Sequence, residues 1–320
     1  MTDRTTTKTE KTAEAPKPRL KDWLEYIGAR FLLGVFRIVG LKAGSAFGGW
    51  IAHSIGPRLG VTKRAARNLE RAMPELGEAE RQLIIRGMWD NLGRTAAEYA
   101  HLDKYSLDAA DQKSDLITIN GFERLEQAQA AGKGVILISG HFANWEVLPL
   151  AIGPYRDRLA EIYRAPNNPL IDQFVHRLRD AGAPPALQIP KGPQAGRPLL
   201  RHLKQGGIVA LLADQKMREG LPLKFFGHTA FTAHTVLQLS LKLDVPVLPV
   251  SITREDSYKF AITVHDPLPV PQGDDDKVRI RTYTQDMNDW LEAQVRARPS
   301  QWFWLHDRWR AYNVRRQDRA

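Results

Sequence analysis

The 320-residue chain contains no cysteine. That absence excludes disulfides, thiolate metal sites and a cysteine nucleophile. It suits a reducing compartment without requiring one, since many exported proteins also lack cysteine. Also missing is an unbroken apolar run of membrane-spanning length, which needs about 20 predominantly apolar residues. The chain has no serine in a Gly-x-Ser-x-Gly setting, no His-x-x-x-His pair and no nucleic-acid-binding motif. It shows no internal repeat. A secretory signal peptide is not expected, because the polar start is not followed by a compact apolar segment and a small-residue cleavage site.

What is present is an excess of positive charge. Lys and Arg number 46 against 36 Asp and Glu, a formal net charge of +10. Such a balance favours acidic partners: nucleic acid, anionic headgroups, phosphorylated substrates or an acidic carrier protein. It is spread too evenly to choose among them, and many of these charges fit solvated helix faces equally well.

The chain divides by composition. Residues 1–19 are mostly Thr, Lys, Glu and Ala and are expected to form a disordered tail with no core to join. Residues 20–60 hold dense apolar positions, with Arg30 and Arg37 seven apart on one helical stripe and glycines at 44, 48, 49 and 56. This pattern fits interfacial helices, apolar side in lipid and arginines at the headgroups, better than a spanning helix. Ordinary helices packed on the core are the alternative. Lys63 to Tyr99 reads as two helices divided by Met73-Pro74. Beyond Leu116, apolar β-rich runs alternate with helical periods. Strands are expected at Leu116–Ile119, Val135–Ser139, Glu161–Tyr163, Ala186–Ile189, Ile208–Ala213, Pro246–Ile252 and Phe260–Val264. Helices are expected at Phe122–Ala131, Asn144–Ile152, Pro169–Ala181, Gln194–Gln205, Thr232–Leu243 and Val278–Arg298. This alternation predicts an α/β fold with a largely parallel central sheet flanked by helices on both faces.

The most informative segment is Val135-Ile136-Leu137-Ile138-Ser139-Gly140-His141-Phe142-Ala143-Asn144-Trp145-Glu146. A buried strand stops at a glycine and presents a histidine, at the carboxyl end where α/β sheets collect ligands. Of nine histidines, His141 alone has an acidic residue five positions on. A helix starting near Ala143 would set Glu146 in its first turn, where its carboxylate could hold the imidazole tautomer while the other ring nitrogen takes a proton from a hydroxyl. A histidine capping a helix, with Glu146 facing its dipole, is the structural alternative. Arg164 and Asp214 each follow a strand too, so with parallel strands all three side chains converge on one sheet edge. Arg164 fits a phosphate or a developing oxyanion, and equally a structural carboxylate. Asp214 is open in the same way between a functional and a structural role, and a metal-ligand role is conceivable, though no His-x-x-x-His pair or carboxylate cluster accompanies it. His228 and His234 have a poor metal spacing, and no metal site is expected.

Several ordered words resemble the bacterial lipid A late acyltransferases of the lysophospholipid acyltransferase superfamily. They are Gly140 to Glu146, Tyr163-Arg164-Ala165-Pro166-Asn167-Asn168-Pro169-Leu170-Ile171-Asp172, Ala213-Asp214-Gln215 and Phe225-Phe226-Gly227. Arg67-Asn68-Leu69 with Met73-Pro74-Glu75, and Trp302-Phe303-Trp304-Leu305-His306-Asp307-Arg308-Trp309, complete the set. The resemblance covers about Trp23 to Arg310. It implies an acyltransferase domain over residues 61–320 that moves a fatty acyl chain from acyl carrier protein to a hydroxyl of a lipid A precursor. It places the enzyme at the cytoplasmic face of the inner membrane, with an anionic membrane surface and no nucleic acid as partner, and implies no cofactor. His141 would be the general base and Glu146 its partner, with Arg164, Asp214 and Asn144 binding substrate. One departure stands out: where the family has a small Thr- and Gly-rich stretch after Phe-Phe-Gly, this chain has His228-Thr229-Ala230-Phe231-Thr232-Ala233-His234. An acyltransferase for another membrane glycolipid or lysophospholipid is the near alternative. A non-catalytic basic protein on membranes or nucleic acid is the distant one.

Overall fold

The computed structural model describes residues 18–107, 114–163, 166–181 and 185–309. The expected polar tail before residue 18 and the Arg164 position lie outside the described residues. The chain enters through α1 (Leu20–Val39) and α2 (Leu41–Ile55), hinged at Gly40, whose φ of 88° is accessible to glycine at little cost. Next come α3 (Thr62–Ala72) and α4 (Glu78–Glu98) on either side of Met73-Pro74, as that breaker predicts. Helices α2 and α4 cross at contact distance. A Cβ on Gly93 would stand 2.2 Å from the Gly48 carbonyl oxygen, so both positions need glycine for the backbones to meet.

The α/β region then runs β1 (Ile117–Asn120), α5 (Phe122–Ala130), β2 (Val135–Ser139), α6 (Leu148–Ala151), β3 (Leu159–Tyr163), α7 (Pro169–Arg179), β4 (Leu187–Pro190), α8 (Gly196–Lys204) and β5 (Ile208–Leu212). It continues through β6 (Leu221–Phe225), β7 (His228–Thr232), α9 (Thr235–Leu243), β8 (Val247–Asp256), β9 (Lys259–Val264) and α10 (Asp276–Ala297). Seven strands form one sheet in the order β1-β9-β8-β2-β5-β3-β4. Every neighbouring pair is parallel except β8 with β9, which form a hairpin. All seven expected strands are present. Because parallel crossovers are right-handed, connections running toward β4 lie on one face and those returning toward β8 on the other, so helices cover both faces. Strand β2 is buried along its whole length at the centre of the sheet, which is why it reads as unbroken Val-Ile-Leu-Ile.

The expectations missed the two-stranded sheet of β6 and β7, which takes in the segment that departs from the family pattern. Its turn is Phe226-Gly227, with φ of 51° and 71°. Positive φ at both central residues is what a tight hairpin requires, and phenylalanine is an unusual residue to supply it. The helix expected over Thr232–Leu243 therefore begins only at Thr235, since Thr232 closes β7.

Candidate active site

The register of β2 against β5 pairs Ser139 with Leu212, so residues two positions beyond each strand, His141 and Asp214, come to lie opposite each other. Their side chains meet: His141 Nδ1 is 2.7 Å from Asp214 Oδ1. The other carboxylate oxygen, Oδ2, accepts the His141 backbone N–H at 2.8 Å and the Trp302 indole N–H at 2.8 Å. Burial works to raise the Asp214 carboxyl. The positive charge available to His141, together with these three hydrogen bonds, outweighs it and holds the group well below the usual carboxylate range. Asp214 is therefore an anion able to accept a hydrogen bond from Nδ1–H and to stabilise an imidazolium. Gly140 permits the approach, since a Cβ there would lie 2.6 Å from the Phe142 ring and 3.3 Å from Asp214 Cγ.

With Nδ1 donating to Asp214, Nε2 carries the lone pair. The Gln215 amide nitrogen stands 3.1 Å from it, as a donor to that lone pair would. The imidazole is flanked by the rings of Trp145 and Phe303, with centroids at 5.0 and 6.0 Å.

Glu146 is elsewhere. The helix expected over Asn144–Ile152 starts one residue later, at Trp145, as a 3₁₀ turn that runs into α6. Ala143 takes a φ of 43°, and its carbonyl accepts hydrogen bonds from Asn91 and Thr95 of α4. Glu146 is swung toward α7, where Arg179 donates through Nε to Oε2 at 2.6 Å and through Nη2 to Oε1 at 2.8 Å. The Trp145 indole N–H adds a bond of 3.0 Å to Oε1, and the Tyr99 hydroxyl another. Burial opposes ionisation of Glu146, but the Arg179 charge and these donors overcome it and lower its pKa. Burial likewise disfavours charge on Arg179, yet Glu146 holds its proton more firmly than usual. The carboxylate that orients His141 is thus Asp214, not Glu146.

Two further expectations change with this geometry. Asp214 is spent on the imidazole and on Trp302 rather than on a ligand. Asn144, fully buried, donates through Nδ2 to Glu98 at 2.9 Å and caps the Glu146 N–H at 3.2 Å, so it shapes the loop instead of facing substrate. Glu98 in turn pairs with Arg254 of β8 and accepts from Ser45 of α2, tying the loop to three elements.

His141 opens onto a cavity of about 600 Å³, within the size range of small-molecule sites. Its walls are mostly hydrocarbon, including Leu137, Ile162, Leu199, Leu211 and Val236. Gln215, Glu146, Arg179 and His306 also border it. Burial brings the His306 pKa down to about 4, against the pull of the Asp214 charge. Neutral His306 then accepts the Lys216 backbone N–H at Nε2 over 3.1 Å. Arg179, Gln215, Trp302 and His306 received no individual role from the sequence. The last three lie in words singled out there, whereas nothing about Arg179 in its helix marks it. Among the described residues no group of three or more His, Asp or Glu side chains is arranged to hold a metal ion.

An ionised carboxylate at Nδ1, an imidazole bordering an apolar cavity and an amide at Nε2 that a substrate hydroxyl could displace form an arrangement suited to deprotonating a hydroxyl beside a hydrocarbon chain. Sequence relatives agree with that chemistry. The family model described as bacterial lipid A biosynthesis acyltransferase matches residues 12–311. A lipid A biosynthesis acyltransferase of Haemophilus influenzae is 24% identical over 88% of this chain and 86% of its own length. The lipid A biosynthesis lauroyltransferase of Escherichia coli is 25% identical over 76% and 77%. The phosphatidylinositol mannoside acyltransferase of Mycobacterium tuberculosis is 22% identical over 79% of each chain. A crystal structure of the 1-acyl-sn-glycerophosphate (LPA) acyltransferase from Thermotoga maritima aligns with a TM-score of 0.38 and 13% identity, over 88% of this chain and 99% of that one. The chain belongs to the bacterial lipid A biosynthesis acyltransferase family and is an acyltransferase.

Proposed function

We propose that the protein transfers a fatty acyl chain from acyl carrier protein to a hydroxyl of a lipid A precursor, at the cytoplasmic face of the inner membrane. The observation that carries the reading is the Asp214–His141 pair with Nε2 at the cavity. In this scheme His141 Nε2 removes the proton of the acceptor hydroxyl as its oxygen attacks the thioester carbonyl. Asp214 stabilises the resulting imidazolium. The tetrahedral adduct collapses by breaking the carbon–sulfur bond, and the imidazolium returns its proton to the departing thiolate. The apolar walls accommodate the acyl chain and exclude water that would otherwise hydrolyse the thioester. A net charge of +10 favours both a phosphorylated acceptor and an acidic carrier.

Membrane attachment through α1 and α2 belongs to the same reading. No helix among the described residues is long and apolar enough to cross a membrane. Yet Leu24, Ile27, Phe31, Ile38, Phe47 and Trp50 are exposed on these two helices, with Ile38 at 88% and Phe31 at 74%. An exposed apolar face of that kind fits a helix pair lying in the interface.

A second reading, acylation of another membrane glycolipid, is favoured by the phosphatidylinositol mannoside relative. Mass spectrometry of lipids from cells with and without the gene product separates the two. The lipid A reading expects one acyl mass to vanish from lipid A on deletion and to reappear when purified protein, acyl carrier protein thioester and precursor are combined. Unchanged lipid A together with the loss of one acyl group from another glycolipid would overturn it.

A further inference from the structure

We infer that Trp302 is a positioning residue of the catalytic centre, whose indole N–H fixes the Asp214 rotamer that aims the His141 imidazole at the cavity. The inference rests on the acyltransfer reading of His141. Asp214 accepts three hydrogen bonds, and two of them come from His141 itself, through its ring and its backbone. A carboxylate held only by those two would be referenced to the very group it has to orient. Trp302 supplies the third bond, the one that ties the pair to a different part of the chain.

Trp302 is suited to that role because it cannot move. It is 1% exposed, with its ring edge-on to Trp304 at 4.6 Å and to Phe225 at 6.0 Å. Its backbone segment straps the histidine loop from both sides. Ala143 N–H donates to the Gln301 carbonyl at 2.8 Å, Phe303 N–H donates to the His141 carbonyl at 3.2 Å, and Phe142 and Trp302 form an antiparallel bridge. An indole N–H is also a neutral donor. It fixes the carboxylate without cancelling the negative charge that the imidazolium needs, as an arginine in its place would.

The test replaces Trp302 in the full-length protein by β-(3-benzothienyl)alanine, an isostere with sulfur in place of N–H, and in parallel makes Trp302→Phe. Acyl transfer is measured at saturating and limiting acceptor across pH. The isostere is expected to lower kcat about 10- to 100-fold, the scale of one lost charge-assisted hydrogen bond, and to leave KM within about twofold. Relieved of a donor, Asp214 faces the imidazolium with more negative charge, and the acidic limb of the rate profile moves to higher pH. The substitution leaves in place His306, whose titration couples to the pair, and the Lys216 and Arg308 charges that act on His306. An isostere with wild-type kcat and pH profile overturns the inference. So does one that only lowers thermal stability without moving the acidic limb. His141→Ala, assayed alongside, separates the two readings: if it retains turnover, the acyltransfer mechanism falls, whereas an inactive His141→Ala beside an unaffected isostere defeats the role of Trp302 alone.

Discussion

Glu146, five residues after His141, gives both carboxylate oxygens to Arg179 and none to the imidazole. The pair is largely buried, with Glu146 at 5% side-chain exposure and Arg179 at 23%, and it joins the histidine loop to α7. Its contribution is architectural. Glu146→Gln leaves a guanidinium in the interior without its counter-charge, which costs about 3–5 kcal/mol. Chemical denaturation should register that loss, and a Glu146→Gln/Arg179→Met double variant should lose less than the sum of the single changes. The Glu146 pKa is lowered in the fold from its ordinary 4.5. Its stabilisation is therefore present above that pH and lost as pH falls through the lower folded value, and Glu146→Gln should remove this component of the acid-side decline. A variant as stable as wild type throughout would show that the ion pair holds nothing together.

His141→Ala and Asp214→Asn should each lower kcat by about 10²- to 10⁴-fold with KM little changed. Asn at position 214 presents an N–H where the imidazole N–H needs an acceptor, so the required tautomer is lost. Because the two residues act as one unit, the double variant should be no slower than the worse single one. Multiplicative losses in steady-state kinetics would contradict a shared role.

His306 is neutral in the fold down to about pH 4, against an ordinary 6.5. Between those values the unfolded chain binds a proton that the folded chain refuses, so stability falls as pH drops from 6.5 toward 4, by up to roughly 3 kcal/mol. His306→Gln, which keeps an acceptor for the Lys216 N–H, should flatten that part of the stability profile measured by urea denaturation. A profile with the wild-type slope would place the decline in other groups.

Phe31→Glu and Ile38→Glu alter side chains that are 74% and 88% exposed. Folding stability should change by no more than about 0.5 kcal/mol. Removing an inserted apolar side chain forfeits about 1.5–3 kcal/mol, so co-sedimentation with anionic vesicles should weaken about tenfold or more. Undiminished sedimentation of the double variant would remove α1 from the membrane-contacting surface.

How much of this was legible in advance depended on the range of the interaction concerned. Strand β2 could be read because burial on both faces demands an unbroken apolar run, and its glycine stop placed His141 at the carboxyl edge. Asp214 was legible as a residue arriving at the same edge, since β5 carries the same signature. The hairpin of β6 and β7 was missed because its turn is Phe-Gly instead of the Asn-Gly or Asp-Gly that marks such turns. The close approach of α2 and α4 was visible only as unexplained glycines at 48 and 49.

Local pattern alone therefore determined the α/β class, the strands of the main sheet, the family and the histidine that heads the site. Tertiary structure decided which carboxylate serves that histidine. Five residues of sequence separation favoured Glu146, but the positive φ of Ala143 turned it away toward Arg179, while the β2–β5 register carried Asp214 across 73 residues to within 2.7 Å. Register between parallel strands is a non-local property, fixed by the packing of the whole sheet, and no spacing along the chain encodes it.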